Sequence, residues 1–291
     1  LYKLAKKEGF FLLSYLYACI LLLLPPIFQD GSPNPIMHLS YQEKDWYLDL
    51  RLAGFDGIDP TTLDQRKLHR WFEKISNQIN LLPVSAHYID RQIVPEKAGR
   101  RVLISEMDKW MDMIHFHLGK KLKVPYQTLY PKLTVKQLQK LKGKLLASYT
   151  TYYNKNIYNR SHNLELSTKA IDHMVVMPGE TFSFNAIVGQ RTIKRGYKEA
   201  KIIVKGEYSE GIGGGICQTS STLFNCVDQA DLTIVERKSH TKEVPYVPKE
   251  RDATVSWGGP DFKFKNHRKD PILIVSEAGN GRVTVQIFTS S

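Results

Sequence analysis

From residue 9 to residue 28 the chain carries no charged side chain, and Lys3, Lys6 and Lys7 stand just before this run. About 20 apolar residues match the hydrocarbon thickness of a bilayer. Lysines on the N-terminal side hold that end in the cytoplasm. The pattern predicts a cytoplasmic stub and a retained transmembrane helix over residues 1–28, with the rest of the chain outside the membrane. The alternative is a signal peptide whose cleavage releases a secreted protein. Residues 29–41, with Gly31, Ser32, Pro33 and Pro35, read as a linker.

Beyond the linker, helical and strand periods alternate. Tyr47 to Leu50 reads as a short strand. Leu68, Trp71, Phe72, Ile75, Ile79 and Leu82 recur on one face of a helix over residues 64–82, with Asp64 as its cap. Residues 86–102 read as strand, turn at Asp90-Arg91, strand and glycine turn. A helix over residues 105–118 turns Met107, Trp110, Met111 and Ile114 inward. Leu133, Leu138, Leu141 and Leu145 give residues 131–148 the period of a basic amphipathic helix. Residues 149–154 are rich in strand formers, Asn159 to Asn163 form a polar break, and a short helix is expected over residues 164–174. Leu232 to Glu236 and the alternating Phe262-Lys263-Phe264 read as strands. Two apolar runs around Gly279-Asn280-Gly281 predict a terminal hairpin. The fold class is α+β: a small α+β domain over residues 42–148, then a larger one over residues 149–291, with a mainly antiparallel sheet and a central helix starting near Cys217.

The net charge is +12, which suits an anionic partner such as a bacterial wall polymer. No zinc-finger spacing or recognition-helix signature points to nucleic acid. The three cysteines, Cys19, Cys217 and Cys226, exclude a disulfide framework. On a helix the last two lie about 13 Å apart along the axis, too far to bridge. No His/Cys/Asp spacing fits a closed metal site. His115 and His117, two residues apart on a helix, point away from each other. No phosphate-loop or dinucleotide fingerprint occurs. Neither metal nor cofactor is expected.

The candidate chemistry gathers at Gly213-Gly214-Gly215-Ile216-Cys217-Gln218-Thr219-Ser220-Ser221. Glycines admit positive φ and close backbone approach. A cysteine at a helix start sits where the helix dipole favours a thiolate. Gln218 and neighbouring N–H groups are candidates to bind an oxyanion. Ser220 and Ser221 are candidate contacts on the first turn. His240 is the candidate base, and the acid that orients it is Asp252 or Asp261. Cysteine at a helix start, histidine on a later strand and acid on the next is the order of papain-like and transglutaminase-like folds. Arg160, Arg191, Arg195, Arg237 and Arg251 are candidates for an anion-binding patch, or simply solubilise the surface. The competing reading makes Cys217 a core residue and Asp252 and Asp261 turn residues.

Several motifs occur in a fixed order: Asn159-Arg160 with Asn163-Leu164; Pro178-Gly179-Glu180-Thr181-Phe182-Ser183-Phe184-Asn185; Gly196-Tyr197; the glycine–cysteine stretch; Glu236-Arg237 with Ser239-His240; Val244-Pro245-Tyr246-Val247-Pro248; Arg251 to Val255; and Asp261 to Asn266. On these residues the chain from 149 to about 288 resembles the VanW family, found in some vancomycin-resistance clusters and more widely in Gram-positive bacteria. Where many relatives have glycine before Asp252, this chain has Glu250-Arg251. Residues 42–130, through Ala86…Val94-Pro95-Glu96…Gly99-Arg100, are similar to the YoaR-like peptidoglycan-binding domain. That domain type precedes VanW domains and some L,D-transpeptidases. The resemblance implies an envelope role without supplying a mechanism. Two functions follow: a membrane-tethered factor that binds or maintains peptidoglycan, or a cysteine-dependent acyl transferase or amidase acting on stem peptides through Cys217 and His240. Oligomeric state is left open.

Overall fold

The computed structural model describes residues 34–204 and 207–291. The apolar run over residues 9–28, and the anchor expected there, lie outside these residues. Among the described residues no helix is long and apolar enough to cross a membrane. The chain divides into two compact units. Of the described residues, the smaller holds 34–81 together with Arg100–Thr128, and the larger holds Leu82–Gly99 and those from Leu129 to Ser291.

In the smaller unit, Ile36–Tyr41 pairs antiparallel with Lys44–Asp49 and parallel with Lys121–Lys123. The expected linker therefore ends early, because Met37 and Leu39 alternate into the core and are essentially inaccessible. The helix Gln65–Ile79 starts where Asp64 accepts a hydrogen bond from the Lys67 N–H, and it buries Leu68, Phe72, Ile75 and Ile79. It stops before Leu82. Asn80 turns its side chain to Ser76 Oγ and to the Val102 N–H, and this ties the helix end to the strand Gly99–Val102. The helix Ile104–Asp112 packs beside it, and a separate 3-10 turn, Ile114–His117, replaces the continuous helix that the period suggested. Leu50, Phe55, Phe72 and Met107 are among the side chains filling this core.

The larger unit is built on a four-stranded antiparallel sheet in the order Lys144–Tyr152, Arg282–Thr289, Ile272–Gly279, Met174–Val176. Asn280 and Gly281 both take positive φ, 52° and 78°, which is the turn a two-residue hairpin requires. Two helices, Tyr158–Ile171 and Ile216–Gln229, lie against this sheet. A smaller sheet sets Lys263–Lys265 between Thr181–Ser183 and Thr233–Glu236. Phe182, Phe264, Leu223, Val227, Ile272, Val285 and Ile287 pack in one core. The hairpin His87–Ile89/Gln92–Val94 belongs here too, with Ala86 packed among Leu133, Leu138, Leu141 and Leu273.

The amphipathic helix expected over residues 131–148 is instead a short helix, Val135–Lys140, with a Thr134/Gln137 capping box, followed by the strand Lys144–Tyr152. The helical run ends at Lys140, with Leu141 as its C-cap. Pairing with the terminal strand, through a register shift between Ile287 and Phe288, overrides the local period. That strand runs through residue 148, so the larger unit takes in sequence on both sides of that point. The helix Tyr158–Ile171 begins just before the expected polar break and runs through it. Its inward Asn163 is bonded rather than solvated: Nδ2 donates to the Lys198 and Gly214 carbonyls, and Oδ1 accepts from the Lys198 N–H.

Candidate active site at the start of the cysteine helix

The glycine stretch works as a cradle of backbone. Gly213 and Gly215 hold φ of 87° and 111°, values that residues with a Cβ rarely adopt. A Cβ on Gly214 would lie 2.5 Å from the Ala200 carbonyl, so the turn is pressed against the neighbouring strand Glu199–Val204. A Cβ on Gly213 would meet the Arg191 stem at 3.0 Å, and one on Gly215 the Arg160 Nη1 at 2.6 Å. The tight turn thus sends the chain into the helix Ile216–Gln229 with an arginine on either side. Cys217 is the second residue of that helix, and it is half-buried.

Its sulfur faces the segment that follows the strand Thr233–Glu236. Cys217 Sγ lies 3.5 Å from the Val255 carbonyl oxygen and 3.8 Å from Thr254 Oγ1. Residues 237–262 hold almost no regular structure, so neither His240 nor Asp252 sits on a strand as the sequence suggested. Pro245, Pro248 and Pro260 remove ladder donors across this stretch. The segment is fixed by side chains of the cysteine helix. Ser221 Oγ accepts from the Ala253 N–H at 2.9 Å, and Asn225 Nδ2 donates to the Arg251 carbonyl at 2.7 Å. Arg237 Nε donates to the Asp252 carbonyl at 2.7 Å.

This stitching brings Cys217, His240 and Asp252 together. Asp252 is 6% exposed, and one of its oxygens, Oδ2, accepts from both the His240 N–H (2.6 Å) and the His240 ring Nδ1 (2.5 Å). With Nδ1 protonated and held, the imidazole presents Nε2 outward. Burial pushes the Cys217 thiol up, but the hydrogen bond and charge of the His240 imidazole outweigh it, and the thiol sits below its ordinary value. Burial likewise pushes His240 down, and contact with Cys217 and then Asp252 carries it above the usual histidine range. Asp252 is raised by burial and lowered further by the two His240 donors, for a net depression. These shifts favour a thiolate–imidazolium pair braced by a carboxylate. A cleft of about 510 Å³ opens on the His240 and Asp252 side of the site, lined in part by Arg237, His240, Lys242, Glu243, Lys249 and Asp252; Cys217 does not line it.

The other sequence candidates are placed differently. Asp261 is far from this role: it accepts from Ser183 Oγ and from the Asn185 and Phe262 N–H groups, and so anchors a corner of the smaller sheet. Gln218 cannot serve an oxyanion. It is fully buried, its Nδ-equivalent amide Nε2 donates to Thr151 Oγ1 and the Tyr152 carbonyl, and its Oε1 accepts from Arg160 Nη2. Ser220 and Ser221 are sealed in the interior, and Ser221 donates back to the Cys217 carbonyl at 2.7 Å. Arg237 lines the cleft, but its Nε and Nη2 hold the Asp252 and Glu250 carbonyls and Ser239. Arg251 binds Asn225 and Asp228. Both guanidinium groups lie over the Phe224 ring, at 4.5 and 4.8 Å. The Cys217 N–H, at the dipole-positive helix start, is the remaining candidate oxyanion donor.

Tyr246 was not singled out from the sequence as a site residue. It lies close to Cys217, Ser221 and Arg160, with its hydroxyl pushed far above the tyrosine range, chiefly by burial. Its setting between Pro245 and Pro248, which stiffen the backbone around an aromatic ring, was the available signal.

Residues 159–288 match the family model described as VanW like protein. The chain is 46% identical over 230 residues to the uncharacterized protein YoaR of Bacillus subtilis (strain 168), covering 78% of this chain and 76% of that one. It is 35% identical over 135 residues to the vancomycin B-type resistance protein VanW of Enterococcus faecalis (strain ATCC 700802 / V583), covering 45% of this chain and 49% of that one. No solved structure matches. The YoaR likeness across three quarters of both chains, together with the family match, places the chain in the VanW family.

Proposed function

We propose that this chain is a cell-wall enzyme that uses Cys217 as the nucleophile in acyl transfer or hydrolysis at peptide amides, with peptidoglycan stem peptides as the substrate class. The observation that carries this reading is the imidazole of His240 held by Asp252 along an open cleft, with the Cys217 thiol at a helix start lowered by that imidazole. A half-buried thiol kept only for packing needs no carboxylate-held imidazole. The wall as the place of action is supported by the vancomycin-resistance name of the Enterococcus faecalis relative and the net charge of +12; an extracytoplasmic position beyond an N-terminal anchor is part of the proposal.

The chemistry balances without a cofactor. The Cys217 thiolate attacks the amide carbonyl carbon, forming a C–S bond, while the carbonyl oxygen gathers negative charge near the helix start. The C–N bond then breaks as the His240 imidazolium delivers its proton to the departing amine. An incoming amine, or water, loses a proton to His240, attacks the thioester and restores the thiolate. Asp252 holds the imidazole in one orientation and stabilises its cationic form.

A binding role is assigned to the smaller unit. There Lys67, Arg70 and Lys74 share a helix face beside Trp71 and Leu52 around a groove of about 270 Å³, a surface suited to an anionic wall polymer. A purely adhesive protein is the competing account. Incubating the chain with purified sacculi and reading the soluble and cross-linked peptides by mass spectrometry separates the two. Wild type is expected to change the peptide pattern and Cys217→Ala to leave it untouched while still binding. An identical pattern from both proteins removes the enzyme.

A further inference from the structure

Arg191 is the group this mechanism leaves without a use. Both of its terminal nitrogens are shut away from solvent, and neither has a hydrogen-bond acceptor. Holding a guanidinium in this way is unfavourable unless an anion joins it. Its stem passes against Gly213, its plane lies over the Phe184 ring at 5.9 Å, and the Cys217 sulfur is within its electrostatic reach. Asp261, also nearby, has its oxygens engaged by Ser183, Asn185 and Phe262. Arg160 stands on the other side of the glycine turn, bonded to Gln218 and over the Tyr246 ring. The Asp252 carboxylate balances the His240 imidazolium. The Asp261 carboxylate acts on Arg191 only through space, because its hydrogen bonds go to neutral donors, and the guanidinium fork is left without an acceptor in contact.

We propose that Arg191 forms a carboxylate subsite beside Cys217, so that the site takes substrates bearing a free carboxylate next to the scissile amide, as at the C-terminus of a short peptide. This rests on the reading of Cys217 as nucleophile and narrows its substrate class. Arginine's planar fork suits a carboxylate in two-point contact. An internal amide of a long chain offers it nothing.

Iodoacetate and iodoacetamide test this directly. Each forms one C–S bond with a thiolate and releases iodide, and they differ only in a carboxylate against a carboxamide. Alkylation of the full chain is followed by mass spectrometry of the Cys217 peptide. Loss of a nearby charge through its effect on the thiol slows both reagents alike, so the ratio of their rates isolates the subsite. Arg191→Gln is expected to lower the iodoacetate-to-iodoacetamide ratio about tenfold or more, the scale of a charge-assisted hydrogen bond. Arg191→Lys should fall between, and Arg195→Gln, the same charge change on an exposed side chain, should stay within about twofold. An unchanged ratio in Arg191→Gln with Cys217 still reactive overturns the subsite and leaves the nucleophile standing. A wild-type Cys217 no more reactive than an ordinary thiol removes both. Should Arg191→Gln fail to fold, protection of wild-type Cys217 from iodoacetamide decides the matter. Acetyl-alanine should slow the labelling and acetyl-alanine amide should not; equal effects overturn the subsite.

Discussion

Two cysteines sit nine residues apart on one helix, and their surroundings make them chemically unlike. Cys217, on the first turn, is half-buried, faces His240 and is held below the ordinary thiol range. Cys226 is wholly enclosed, bonds to the Val285 carbonyl and is pushed up to about 12, chiefly by burial. The helix is common to both, so its presence does not make a thiol reactive. What differs is the partner that stabilises the charged form and the access of solvent. The two acids repeat the lesson. Asp252 and Asp261 are about equally enclosed, but one holds an imidazole and the other holds backbone.

The largest expected difference is in turnover. Cys217→Ala should lower the release of peptide products from sacculi by about a thousandfold or more, whereas Cys226→Ala should leave it within about twofold. Comparable losses from the two would erase the distinction. Next come the acids. Asp252→Asn is expected to lower turnover by about a hundredfold to ten-thousandfold, through loss of imidazole orientation. Asp261→Asn should instead act on stability, lowering it by about 1–3 kcal/mol in urea titration, with turnover per folded molecule retained.

A smaller effect is expected in pH dependence, and its sign is fixed by the directions of the shifts. The Cys217 value is lowered, so iodoacetamide labelling of Cys217 should persist at pH values where an ordinary thiol, with a pKa of about 8.5, is already protonated. The His240 value is raised, so the imidazolium persists above the usual 6.5 or so. Turnover should therefore rise as pH climbs through the depressed thiol value and fall as it passes the raised histidine value. In His240→Ala, labelling of Cys217 should begin only at higher pH. An onset that does not move would show that the imidazole does not govern the thiol. The smallest effect is the loss of packing in Cys226→Ala, about 1 kcal/mol of stability by the same titration.

The helix over residues 64–82, the terminal hairpin and the turn into the Cys217 helix were legible because each follows from local rules: apolar period, turn residues and glycine. The segment holding His240 and Asp252 was not legible as structure. Its course is set by Ser221, Asn225 and Arg237, contacts that join residues 15 to 32 positions apart and leave no periodic trace. The choice between Asp252 and Asp261 was open for the same reason. Gln218 and Ser220 looked available because hydroxyl and amide side chains usually face water, whereas here both are buried and the Gln218 amide bonds to the strand Lys144–Tyr152. Lys144–Tyr152 was hidden because leucines spaced for a helix also fit a strand once a long partner is present.

The edge strand Lys144–Tyr152 also bears on how the molecule can be divided. The family match begins at residue 159, but Thr151 and Tyr152 hold the Gln218 amide, and Thr151 meets Thr222 within the interior. A fragment trimmed to residue 159 would lose the neighbour of Arg282–Thr289 and leave that strand's ladder groups open to pairing with other copies. The smallest fragment that keeps the larger unit whole therefore reaches back past the sheet edge, and also includes Leu82–Gly99, separated from it in sequence by residues of the smaller unit. Evolutionary modularity and mechanical modularity diverge in this chain.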